Sequence, residues 1–115
     1  MLKIFTELRC QIKETLSDRD VYQYFTTTLS VVISKPKEKD VEWLRKGTLL
    51  PTELLDPQDL KFVRFTMSAD DKGLRHTLTI SGVLPEDEGK YTVAIRDRWL
   101  GTVKSCCNLT VNHGT

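Results

Sequence analysis

At 115 residues and a net charge of +1, the chain is long enough for one buried core and too short for two. Its balanced charge supplies no field to draw nucleic acid or an anionic membrane surface. Residues 1–7 lack the apolar core of a signal peptide, and no uninterrupted apolar stretch nears the roughly 20 residues that a bilayer span needs.

No internal repeat or low-complexity segment breaks the chain; short β-rich runs alternate with turn signals, which predicts an all-β sandwich. Ile4–Leu8 and Arg9–Ile12 read as two short opening strands, and Lys13–Asp20 as a loop or a short helical turn. Tyr24–Ile33 reads as a strand with Leu29, Val31 and Ile33 on one face at period two. Ser34–Asp40 is a charged, proline-broken loop. Val41–Gly47 follows as a strand with Val41 and Trp43 inward.

Thr48–Lys61 holds two prolines, which forbid a regular strand through its middle. Its leucines, Leu54 and Leu55 among them, are too many for a fully solvated loop. A short strand plus one helical turn lying partly against the sheet edge is expected.

Phe62–Ser68 and Arg75–Ser81 are strands flanking the polar turn Ala69–Gly73, the second with Leu78 and Ile80 on the core side. The run Leu84–Val93 contains Asp87, Gly89 and Tyr91 in an Asp-x-Gly-x-Tyr pattern. It predicts a corner with a short acidic turn, a glycine free to take positive φ, and a buried ring whose hydroxyl bonds back to the turn. The next strand carries Tyr91, Val93 and Ile95 on one side. Arg96, Arg98, Trp99 and Leu100 form a hairpin tip, and Gly101–Val111 is the last strand, with Cys107, Leu109 and Val111 sharing a parity. The chain reads as one module, residues 1–115, cut from a longer protein.

Together, Ser34-Lys35-Pro36, Val41–Gly47 with its Trp43, His76–Ile80 and Pro85–Tyr91 resemble an I-set immunoglobulin domain of the intracellular muscle type found in titin, obscurin and myosin-binding protein C. The resemblance covers roughly residues 4 to 112. It implies a Greek-key β-sandwich whose strands B, C and F are the Tyr24, Val41 and Tyr91 segments, and whose strands A′ and G pair. Where the family places core cysteines, this chain has Val31 and Val93, and these with Trp43 are expected to form an apolar plug joining the sheets. Loss of a disulfide costs on the order of 2–5 kcal/mol in a small secreted domain; packed valines recover part of that at roughly 25 cal/mol per Å² of buried apolar area.

Three cysteines, two of them adjacent, are not a secreted disulfide framework and have no zinc-ligand spacing, so a reducing compartment is favoured. Given an A′–G pairing, Cys10 is a candidate for a redox-dependent link to one of Cys106 and Cys107. No nucleophile accompanies His76 or His113 in a catalytic motif, and His76 reads as a surface or edge residue. Asn108-Leu109-Thr110 matches the glycosylation pattern by chance in this setting.

No enzyme, cofactor, metal, nucleic acid, membrane or small-molecule substrate is expected. The resemblance implies a cytoplasmic, non-catalytic contact and spacer module of a cytoskeletal or sarcomeric protein, its partners other proteins such as neighbouring immunoglobulin or fibronectin modules. The rival is an extracellular adhesion or receptor domain that has lost its disulfide. Candidate contact residues are Arg96, Arg98, Trp99 and Leu100, a tryptophan beside arginines being the composition most enriched in binding hot spots, together with Leu54 and Leu55.

Overall fold

The computed structural model describes residues 9–97 and 101–113. Among the described residues nine strands run in chain order: β1 Ile12–Glu14, β2 Arg19–Tyr22, β3 Thr27–Ile33, β4 Val41–Arg45, β5 Thr48–Leu49, β6 Phe65–Ala69, β7 Arg75–Ile80, β8 Gly89–Asp97 and β9 Gly101–Asn112. Short 3-10 helices cover Pro57–Phe62 and Pro85–Asp87. The strands form two sheets, ordered β1-β3-β7-β6 and β2-β9-β8-β4-β5. Every pairing is antiparallel except β2 with β9.

Period-two patterning explains the layering. Leu29, Val31 and Ile33 on β3 and Leu78 and Ile80 on β7 face Tyr91, Val93 and Ile95 on β8 and Cys107, Leu109 and Val111 on β9 across one core. Trp43 on β4 is 2% exposed and sits directly opposite Val93 in the β4–β8 register. Val31 and Val93 are both fully buried, one in each sheet.

The amino-terminal part departs from the expected layout. The predicted strand Ile4–Leu8 lies outside the described residues, and Arg9–Ile12 is not the strand that joins β9. Instead β1 adds to β3, and the parallel partner of β9 is Arg19–Tyr22. The intervening segment, expected to be a loop or helical turn, is where the chain crosses between sheets. Leu16 anchors it, 6% exposed, with its N–H donating to Ser105 Oγ at 2.9 Å. One apolar residue among charged neighbours gives no period to read, and the crossing rests on a hydrogen bond spanning 89 positions.

Two further boundaries shift. Tyr24 and Phe25 precede β3, in a turn where Tyr24 takes φ 74° and donates its N–H to Val83 O at 2.7 Å. Phe62 ends a 3-10 helix, and β6 begins at Phe65. Between β4 and β6 the expected short strand and helical turn are present as β5 and Pro57–Phe62.

Candidate interaction surface

The corner before β8 is held by one carboxylate. Asp87 is fully buried, and its Oδ2 accepts the Leu84 N–H at 2.8 Å. Arg64 clamps it in a two-pronged ion pair, Nη1 to Oδ2 at 2.7 Å and Nη2 to Oδ1 at 3.0 Å, and also donates to Gly82 O at 3.1 Å. That hydrogen bond to Asp87 raises the Arg64 pKa.

The Tyr91 hydroxyl donates to Asp87 O at 2.7 Å, and burial pushes its pKa up to about 12. Gly89 takes φ 143°, a backbone conformation that side chains rarely adopt, so the backbone calls for glycine; the Lys46 side chain that a Cβ would meet is flexible and could move aside. Of the neighbouring acids, Glu88 accepts the Val111 N–H at 2.9 Å and ties the corner to β9. Arg64 is the residue that sequence reasoning missed: it was placed on a strand with no partner, and only the packing of the corner against the start of β6 reveals its role.

Apolar side chains crowd the surface from β5 to the start of β6. Five of the eight large hydrophobic side chains exposed among the described residues fall here: Leu49 at the end of β5, and Leu54, Leu55, Leu60 and Val63 after it. Leu50, 1% exposed, is driven into the core, with its N–H on Trp43 O at 2.8 Å, and Phe62 packs partly buried against that core. Leu54 and Leu55 are 45% and 78% exposed. The helix is fastened by Asp59, whose Oδ2 accepts the N–H groups of Leu55 at 3.2 Å and Asp56 at 3.1 Å.

Two grooves flank this segment. One, of about 420 Å³, is lined by Leu49 and Leu55 with Glu42, Glu53, Asp56 and Asp59. The other, of about 490 Å³, is lined by Leu60, Phe62 and Val63 with Arg45, Lys61 and Arg64. Lys61 Nζ stands 5.1 Å from the Phe62 ring centroid.

At the opposite end of β4, Arg96 pairs with Glu42 at 2.5 Å, with both side chains partly exposed. Arg98, Trp99 and Leu100, the rest of the predicted hairpin tip, lie outside the described residues. Leu54 and Leu55 share the β5–β6 segment; Arg96 lies on β8, and its partner Glu42 lines the groove beside Leu55.

His76 is not a surface residue, contrary to expectation. It shares parity with Leu78 and Ile80, is 5% exposed, and bonds through Nε2 to Gly73 O at 2.9 Å. No group of three or more His, Cys, Asp or Glu side chains able to hold a metal ion occurs among the described residues. No helix among them is long and apolar enough to cross a membrane.

All three thiols are free. The candidate Cys10 link is not formed; Cys10 precedes β1, is buried, and directs its thiol to Lys35 O at 3.8 Å. Cys106 is exposed beside Thr92, whereas Cys107 points into the core, and burial pushes its pKa up to about 11. Asn108 is exposed on β9, its N–H held by Asp18 Oδ1 at 2.8 Å.

A family model described as the immunoglobulin I-set domain matches residues 10–111. Among solved structures, the tandem titin Ig domains A164-A165 are 26% identical at a TM-score of 0.69, covering 90% of this chain and 47% of that one. The complex of titin M10 with the obscurin-like 1 Ig domain gives 21% identity and a TM-score of 0.71, covering 92% and 96%. Titin M4 gives 16% identity and 0.73, covering 90% and 95%.

Proposed function

This chain belongs to the immunoglobulin I-set family, and from that premise we propose that it is a non-catalytic contact and spacer module of a multidomain cytoskeletal or sarcomeric protein. The observation that carries the contact role is the exposed leucine segment between β5 and β6, apolar surface that a lone domain gains nothing by displaying. Its side chains offer shape and charge to a partner surface. The sarcomeric setting is supported by the likeness to titin domains, one of them solved in complex with another Ig domain. A core that holds Val31 and Val93 in place of a disulfide, with three free thiols, suits the reducing cytoplasm.

In this reading Val31, Trp43, Leu78 and Val93 are the plug between the sheets, and Asp87, Gly89 and Tyr91 set the corner. Leu54 and Leu55 make one contact surface; Arg96, Arg98, Trp99 and Leu100 make a second. The test is expression of the fluorescently tagged chain in striated muscle cells. A banded pattern in register with the sarcomere is expected, and it should weaken when Leu54 and Leu55 are both changed to serine. A diffuse signal indistinguishable from the free tag would overturn the sarcomeric assignment.

A further inference from the structure

We propose that the face between β5 and β6 binds a second copy of this chain across a two-fold axis. The proposal goes beyond the spacer role and stands whether or not the parent protein is sarcomeric.

The face has an ordered charge layout. On one flank, the groove beside Leu49 and Leu55 is lined by Glu53, Asp56 and Asp59 together with Glu42, which Arg96 partners. On the other, the groove around Leu60 and Val63 carries Arg45, Lys61 and Arg64 against Glu86 and Asp87, a small cationic excess, and an adjoining hollow of about 190 Å³ adds Lys46 with no carboxylate. Arg64 and Asp87 are already paired with each other, which leaves Arg45, Lys46 and Lys61 as the cations of this flank. Each groove carries exposed apolar side chains, Leu49 and Leu55 in the acidic one and Leu60 and Val63, 61% and 57% exposed, in the basic one.

A partner of uniform sign would be attracted to one flank and repelled by the other. A second copy rotated about an axis lying in the face between the two grooves sets each acidic flank against a basic one and brings the apolar side chains of one groove onto those of the other. A two-fold interface requires that kind of self-complementarity. The apolar side chains supply the attraction and the exposed charges supply register and encounter rate, since rim pairs contribute little individually.

Sedimentation velocity on the whole chain over a concentration series tests this. The average mass should rise with concentration and stop at the dimer. Glu53→Lys sets a cation into the acidic flank and Lys61→Glu sets a carboxylate into the basic one, so each variant alone should lose dimer affinity by about tenfold or more. An equimolar mixture of the two should recover it, as a heterodimer visible by native mass spectrometry. Unchanged circular dichroism would show that both exposed substitutions leave the sandwich folded; should either disturb it, Leu55→Ser with Leu60→Ser must abolish the dimer instead. A wild-type chain that stays monomeric throughout overturns the proposal. So does a dimer indifferent to these substitutions, or assembly that continues past two copies.

Discussion

At the scale of single residues, ion pairs that look alike in the sequence differ by their surroundings. Arg64 serves a carboxylate with no access to water, whereas the Arg96–Glu42 pair is open to solvent. Removing one partner of a buried pair strands the other, a loss of about 3–5 kcal/mol; an exposed pair contributes about 0–1 kcal/mol. Arg64→Met should therefore lower the urea midpoint steeply and Arg96→Met hardly at all, although Arg45, 3.6 Å from Asp87, softens the first loss.

The thiols separate in the same way. Ellman's reagent should titrate Cys106 in the native protein and reach Cys10 and Cys107 only on unfolding, since the latter two are buried. Cys107 holds its proton to about pH 11 when folded and to about 8.5 when unfolded. Its contribution to stability is therefore intact below about pH 8.5 and is lost as pH rises through 11, and Tyr91 acts in the same direction at higher pH. Thermal midpoints should fall above about pH 9, and the fall should be smaller in Cys107→Val.

At the scale of elements, the β5–β6 segment hangs on Leu50 while its other leucines face water. Leu50→Ala should destabilise the fold by about 2–5 kcal/mol, and Leu55→Ser should stay within about 0.5 kcal/mol by chemical denaturation. Both are leucines in one stretch, and this is where the sequence stops being informative: it shows that apolar residues are present, and only packing shows which one reaches the core.

The strands β3, β4, β7, β8 and β9 were legible because each repeats its inward residues at period two and is bounded by turn residues. The corner was legible because aspartate, glycine and tyrosine each have a chemical reason to occupy their positions. The crossing at Leu16 was not, for it depends on a partner far along the chain, whereas the burial of His76 was signalled by its parity with Leu78 and Ile80 and obscured by a side chain that is as often exposed as buried. Tyr24 misled for a different reason. A β-favouring aromatic was read as the start of a strand, whereas the backbone there turns through positive φ, a conformation that β-propensity does not report.

At the scale of the whole molecule, the parallel seam between β2 and β9 has a mechanical consequence. Residues from Arg19 to Tyr22 run beside those from Leu109 to Asn112 in the same direction. Tension applied through the two chain ends would pull these strands lengthwise past each other, so their bridging bonds share the load together and do not peel open singly. β1 lies outside the seam, three residues long with an irregular register, and should let go first. Force spectroscopy on a tandem array should then record a small early lengthening followed by one high rupture. Val21→Pro, which deletes a donor within the seam, should lower that rupture force. A module stretched from end to end would thus yield in two stages, giving a little slack before its main resistance engages.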